Sequence, residues 1–85
     1  MQNFIVHLTA TKTVFDSAEM HRWFTDRLND FMRENYLQQV YQSQDKNQMW
    51  LVWRADDQEL LRMMMKPLVL KMGIEMEVTP LRLKF

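Results

Sequence analysis

Residues 46–54 read KNQMWLVWR, an alternating apolar run between a polar turn and an arginine, and their reading decides the fold of this chain. Alternation with period two marks a strand whose two faces differ. Met49, Leu51 and Trp53 then share one face, and Trp50, Val52 and Arg54 the other. The run before it, YLQQVYQS (Tyr36 to Ser43), reads as a second strand, with Asp45, Lys46 and Asn47 supplying turn chemistry between the two. The pair predicts an antiparallel hairpin.

Working outward from the hairpin, QNFIVHLT (Gln2 to Thr9) is a further β-rich run. Between it and the hairpin stands a helix, opened by a capping box with Asp16 at N-cap and Glu19 at N3, and by a Phe15–Met20 staple. Met20, Trp23, Phe24, Leu28, Phe31 and Met32 follow the spacing of one buried stripe, and Asn35 is a left-handed stop. On the other side of the hairpin a second capping box, Asp56 with Glu59, opens a helix whose apolar stripe is Leu60, Leu61, Met64, Met65, Leu68 and Met72. Pro67 lies inside it and predicts a kink or break near Met65 or Lys66, while Gly73 ends it. IEMEVT (Ile74 to Thr79) alternates as a half-buried strand. In the tail PLRLKF the apolar residues Leu81, Leu83 and Phe85 change phase, which predicts a bulge or a separate terminal strand pairing within the chain or with another.

The order strand, helix, strand, strand, helix, strand is that of a split βαβ unit. It resembles the ferredoxin-like, or α/β-plait, architecture: an α+β domain spanning residues 1–85, with a four-stranded antiparallel sheet and both helices on one face. Right-handed crossovers make the first and third strands central, with the hairpin's first strand at one edge and the strand from Ile74 at the other.

Composition bounds what such a domain can do. Of 85 residues, 47% are hydrophobic and only one is glycine, which excludes a disordered or low-complexity chain. A domain of this size buries about 60 to 65% of the surface its unfolded chain exposes. Eleven basic residues balance eleven acidic ones, so no net field draws it to nucleic acid or to an anionic membrane. The absence of cysteine excludes disulfides, thiolate nucleophiles and thiolate metal sites. With no signal-peptide pattern and no apolar run long enough to span a bilayer, the chain is read as cytoplasmic.

Two helices on one face leave the other face of the sheet uncovered. If Phe4, Val6 and Leu8 join Met49, Leu51 and Trp53 beneath the helices, the open face receives Ile5, His7, Gln48, Trp50, Val52 and Arg54, with Tyr41 beside them. An apolar patch with an aromatic anchor and an arginine at its rim has the composition of an interface. The expectation is a small non-enzymatic binding or regulatory module, acting through protein contacts at Ile5, His7, Trp50, Val52, Arg54 and Tyr41 and including homodimerisation.

The alternative is single-stranded RNA or DNA. The topology and KNQMWLVW are similar to an RNA-recognition motif: Lys46, Trp50, Leu51 and Trp53 fit its third-strand pattern. Asn47 stands in place of the glycine and Gln48 in place of a stacking aromatic, and Phe4 would have to serve as the first-strand aromatic.

Catalytic chemistry finds little purchase in the sequence. His7 and His21 have no metal-ligand spacing. His7, beside Trp50, could serve as a general base, although a strand histidine without chemical role is the commoner case. Glu75 and Glu77 point one way from an edge strand, as solvated carboxylates do. The similarity to acylphosphatases is one of topology, and that activity needs an arginine after the first strand where TATKTVF offers Lys12. Nine methionines, three of them consecutive at 63–65, read as core filling rather than as a binding groove. The expectation is no enzyme, no cofactor and no metal.

Overall fold

The computed structural model of the chain describes residues 2–10, 18–45 and 47–84. Its elements are β1 (Gln2–Ala10), α1 (Ala18–Arg33), β2 (Leu37–Gln42), β3 (Gln48–Ala55), α2 (Gln58–Met72) and β4 (Ile74–Leu81). The strands form one antiparallel sheet in the order β2-β3-β1-β4, the ferredoxin-like arrangement expected from the element order. The predicted cap at Asp16, its staple residue Phe15, Lys12, the turn residue Lys46 and the terminal Phe85 lie outside the described residues.

The inner face of the sheet follows the alternation. Phe4, Val6 and Leu8 of β1 and Met49, Leu51 and Trp53 of β3 are all buried, and they meet Phe24 and Leu28 of α1 and Leu61, Met65, Leu68 and Met72 of α2. Trp53 lies against Phe31 and Tyr36, with ring centroids 5.2 and 6.1 Å away. Its indole Nε1 is buried and has no hydrogen-bond partner among the described residues. Across the helices, Lys71 Nζ sits 4.1 Å from the centre of the Trp23 ring, a cation–π contact joining α2 to α1. Met32 departs from the expected stripe: it is 39% exposed, because Phe31 takes the inward position in the last turn.

Helix α1 ends as expected at Asn35, which has φ 67°. The Tyr36 N–H donates to Phe31 O and the Asn35 N–H to Met32 O, a Schellman closure that satisfies the last carbonyls. Helix α2 differs from expectation at both its start and its middle. The N-cap is Asp57, not Asp56: Asp57 is extended, and its carboxylate accepts from the Leu60 N–H. Nor is there a break before Pro67, since α2 runs unbroken from Gln58 to Met72. The missing donor at Pro67 falls opposite the carbonyl of Met63, one turn back, on the exposed side of the helix where water can serve it. Gly73, at φ 62°, closes α2 and donates its N–H to Val69 O.

The tail also differs from expectation. β4 continues through Thr79 and Pro80 to Leu81 without a bulge, pairing with β1 throughout. The phase change is therefore a change of face: Ile74, Met76 and Val78 turn toward the helices, and Leu81 follows Glu75, Glu77 and Thr79 onto the open side. Pro80 is tolerated because β4 is an edge strand. Among the described residues, no helix is long and apolar enough to cross a membrane.

Candidate functional site

Antiparallel register sorts the open face into rows that run across the strands. Tyr41 of β2 pairs with Trp50 of β3, Trp50 with His7 of β1, and His7 with Glu77 of β4, so four chemically distinct side chains stand at one level. On one side of this row lie Gln48, Thr9 and Glu75; on the other lie Gln39, Val52, Ile5 and Thr79, and beyond them Arg54, Asn3 and Leu81. Ile5, His7, Trp50, Val52, Arg54 and Tyr41 thus share the open face assigned to them, with Tyr41 58% exposed and Trp50 half-buried.

The centre of the row is the His7–Trp50 pair. Their rings are 5.1 Å apart and within 5° of parallel, a separation close to the spacing of neighbouring strands, so they stand as two plates across the gap between β1 and β3. His7 Nε2 is 2.9 Å from Gln48 Oε1. In the Nε2–H tautomer the ring donates to this carboxamide oxygen and Nδ1 keeps its lone pair. A hollow of about 430 Å³, lined by His7, Thr9, Glu75, Met76 and Glu77, opens next to the ring. That volume is in the range of small-ligand sites, about 300 to 1,000 Å³.

Sequence reasoning placed Gln48 on this face but missed its contact with His7, and it missed Glu77 as a neighbour of the ring. Their spacing from His7 carries no motif; the signal is register, since a strand pair fixed by its hairpin and its buried face also fixes which residues stand opposite each other. Glu75 and Glu77 do point the same way, as expected, and both are exposed. His21 is exposed on α1, away from the open face. Among the described residues, no three acidic, histidine or cysteine side chains gather into a metal-binding group.

No protein-family model matches this chain, and no curated protein matches it in sequence. Among solved structures, it is similar to a crystal structure from Deinococcus radiodurans described as a candidate antibiotic biosynthesis monooxygenase. The two share 10% sequence identity with a TM-score of 0.61, over 100% of this chain and 94% of the other. At this identity the likeness is one of fold, and it covers the domain from end to end.

This neighbour corrects the expectation of a non-enzymatic module working through protein contacts, and its nucleic-acid alternative: the protein sharing the fold is described as an oxygenase. Two observations bear on nucleic acid separately. Phe4, which would have to be the stacking aromatic of β1, is 1% exposed beneath the helices. One face of Trp50 is taken by His7.

Proposed function

We propose that this domain is a small-molecule enzyme of the oxygenase kind, with its substrate seated beside the row Tyr41, Trp50, His7 and Glu77. The observation that carries the reading is the seating of His7, held by Trp50 on one face and by Gln48 at Nε2, with a hollow alongside. The end-to-end likeness in fold to a protein described as a monooxygenase supports it.

In this reading the substrate sits in the hollow beside His7, Thr9 and Met76, Trp50 backs the imidazole from the other side, and His7 Nδ1 takes a proton from an acidic O–H or C–H group. The resulting anion is electron-rich and reacts with dioxygen more readily than the neutral molecule does. In a monooxygenation one oxygen atom enters the substrate and the other leaves as water. When a CH2 group becomes a carbonyl, the substrate supplies both electrons and both hydrogens of that water.

The test is oxygen uptake with a panel of electron-rich phenols and activated methylene compounds, comparing the wild-type chain with His7→Gln. Uptake above buffer, reduced about 100-fold or more in the variant, is the expected result for loss of a general base. Uptake no faster than in buffer, or uptake that His7→Gln retains, overturns the reading.

A further inference from the structure

The two ends of the open face differ in charge. Glu75 and Glu77 lie at the end shared by Thr9 and Gln48, whereas Arg54 stands at the opposite end, in one row with Asn3 and Leu81. Beyond Leu81 the chain continues as Arg82 and Leu83, so a guanidinium is flanked by two apolar side chains, Leu81 44% exposed and Leu83 90%. A hollow of about 360 Å³ opens here, lined by Asn3, Val52, Leu81, Arg82 and Leu83. A second, of about 580 Å³, shares all of these but Val52 and adds Gln2 and Pro80. No acidic residue lines either one, and among the described residues neither Arg54 nor Arg82 is held in an ion pair. Asp56 and Asp57, which follow Arg54 and Ala55 in sequence, line a different hollow with Leu60 and Met63 at the start of α2.

We propose that this end of the open face is a second ligand site, for a small monocarboxylate with an apolar body. The carboxylate seats on the Arg82 guanidinium, whose planar fork presents paired N–H donors at the spacing of two carboxylate oxygens. The Asn3 carboxamide, in the same lining, supplies a further donor. The body lies against Val52, Leu81 and Leu83, and its binding removes from water apolar surface that the chain leaves exposed. Three apolar residues around one guanidinium suit a singly charged head on a hydrocarbon body better than a phosphate, whose sites gather several cationic or N–H donors. Both hollows have the volume of small-ligand sites, about 300 to 1,000 Å³.

Charge also assigns the carboxylate to this end of the face. Along β4, Glu77 and Glu75 lie four and six residues before Leu81, about 13 and 20 Å at roughly 3.3 Å per residue. Both distances exceed the Debye length of about 10 Å at 0.1 M salt. The two glutamates therefore repel an anion from the hollow beside His7 without loosening its hold at Arg82. The site is separate from the one His7 serves, so binding alone reads its occupancy, whatever chemistry His7 performs.

The test is backbone amide NMR of the full chain at 0.1 M salt, titrated with straight-chain carboxylates from acetate to octanoate. Shifts are expected at Asn3, Val52, Leu81, Arg82 and Leu83, with affinity rising about two- to fourfold per added CH2 until the hollow is filled. R82Q is expected to weaken octanoate binding about tenfold, whereas L81N/L83N is expected to flatten the dependence on chain length. These substitutions fall on exposed side chains at or beyond the end of β4, and the wild-type titration decides the proposal by itself if either variant loses the sheet. Acetate or inorganic phosphate binding as tightly as octanoate overturns the apolar half of the site. R82Q that binds octanoate as tightly as the wild type overturns its anchor. Octanoate that shifts none of these amides, or shifts those around the His7 hollow instead, overturns the site.

Discussion

His7 and Trp50 stand directly opposite each other on β1 and β3, their rings 5.1 Å apart and 5° from parallel. Cross-strand aromatic contacts of this kind contribute about 0.5 to 1.5 kcal/mol beyond the area they bury. The pair therefore stiffens the centre of the sheet as well as orienting the imidazole. Glu77 on one side and Tyr41 on the other complete a row in which each strand contributes one residue.

The two tryptophans of β3 should separate in a stability measurement. Trp53 is fully buried beneath the helices, so Trp53→Ala is expected to cost about 3 to 5 kcal/mol. Trp50→Ala removes a half-buried ring and its contact with His7, with an expected loss of about 1 kcal/mol. Urea unfolding followed by circular dichroism measures both. Equal losses would mean that the two faces of β3 are not as different as their burial indicates. Trp53→Phe is expected to cost much less than alanine, since it keeps most of the ring and removes a buried N–H that lacks a partner.

The inner face was legible because Phe4, Val6, Leu8, Met49, Leu51 and Trp53 repeat every second residue, and burial enforces that repeat. Asn35 and Gly73 were legible because few residues tolerate positive φ. The start of α2 was not, since Asp56 and Asp57 both carry capping carboxylates and only backbone conformation chooses between them. Leu81 misled for a different reason: the apolar phase changes there, yet its pairing with Asn3 keeps the β1–β4 register, so the change puts an apolar side chain on the open face without a bulge. The place of Glu77 beside His7 needed the β1–β4 register, which no local spacing encodes.

Pro67 offers a test of how α2 tolerates an interior proline. Relative to alanine, proline in a helix interior is less favourable by about 3 kcal/mol, partly offset by about 0.4 to 1 kcal/mol from its restriction of the unfolded chain. Here the helix is unbroken, and the unserved Met63 carbonyl lies on its exposed side, which lowers the cost further. Pro67→Ala is expected to stabilise the fold by about 1 to 2 kcal/mol in urea unfolding. A loss of stability would mean that the proline sets a backbone path that alanine does not reproduce.

Gly73 closes α2 in the left-handed region, and a Cβ built there meets nothing within 4 Å. The cost of a side chain at this position is therefore one of backbone conformation alone. Gly73→Ala is expected to lose about 1 to 2 kcal/mol, and Gly73→Asn less, because asparagine visits that region more readily. Equal losses in urea unfolding would count against a conformational origin.

Asp45 should give the hairpin turn its own pH dependence. Its carboxylate accepts from the Ser43 hydroxyl and from the Asn47 N–H, and these hydrogen bonds, the hydroxyl first, hold its pKa below the usual value. Since the folded-state pKa is the lower one, the unfolded chain binds more protons between the two values, and stability rises with pH across that window. The contribution is fully present above the ordinary aspartate range, near about 3.9, and is lost as pH falls through the folded value. A carboxyl NMR titration is expected to find Asp45 below that ordinary value. Ser43→Ala is expected to move it upward, because the first of the two donors is gone. Ser43 Oγ also accepts from the Gln48 N–H, so the same substitution loosens the entry to β3, which circular dichroism and urea unfolding of the variant read separately. A midpoint that Ser43→Ala leaves in place would remove the hydroxyl as the cause.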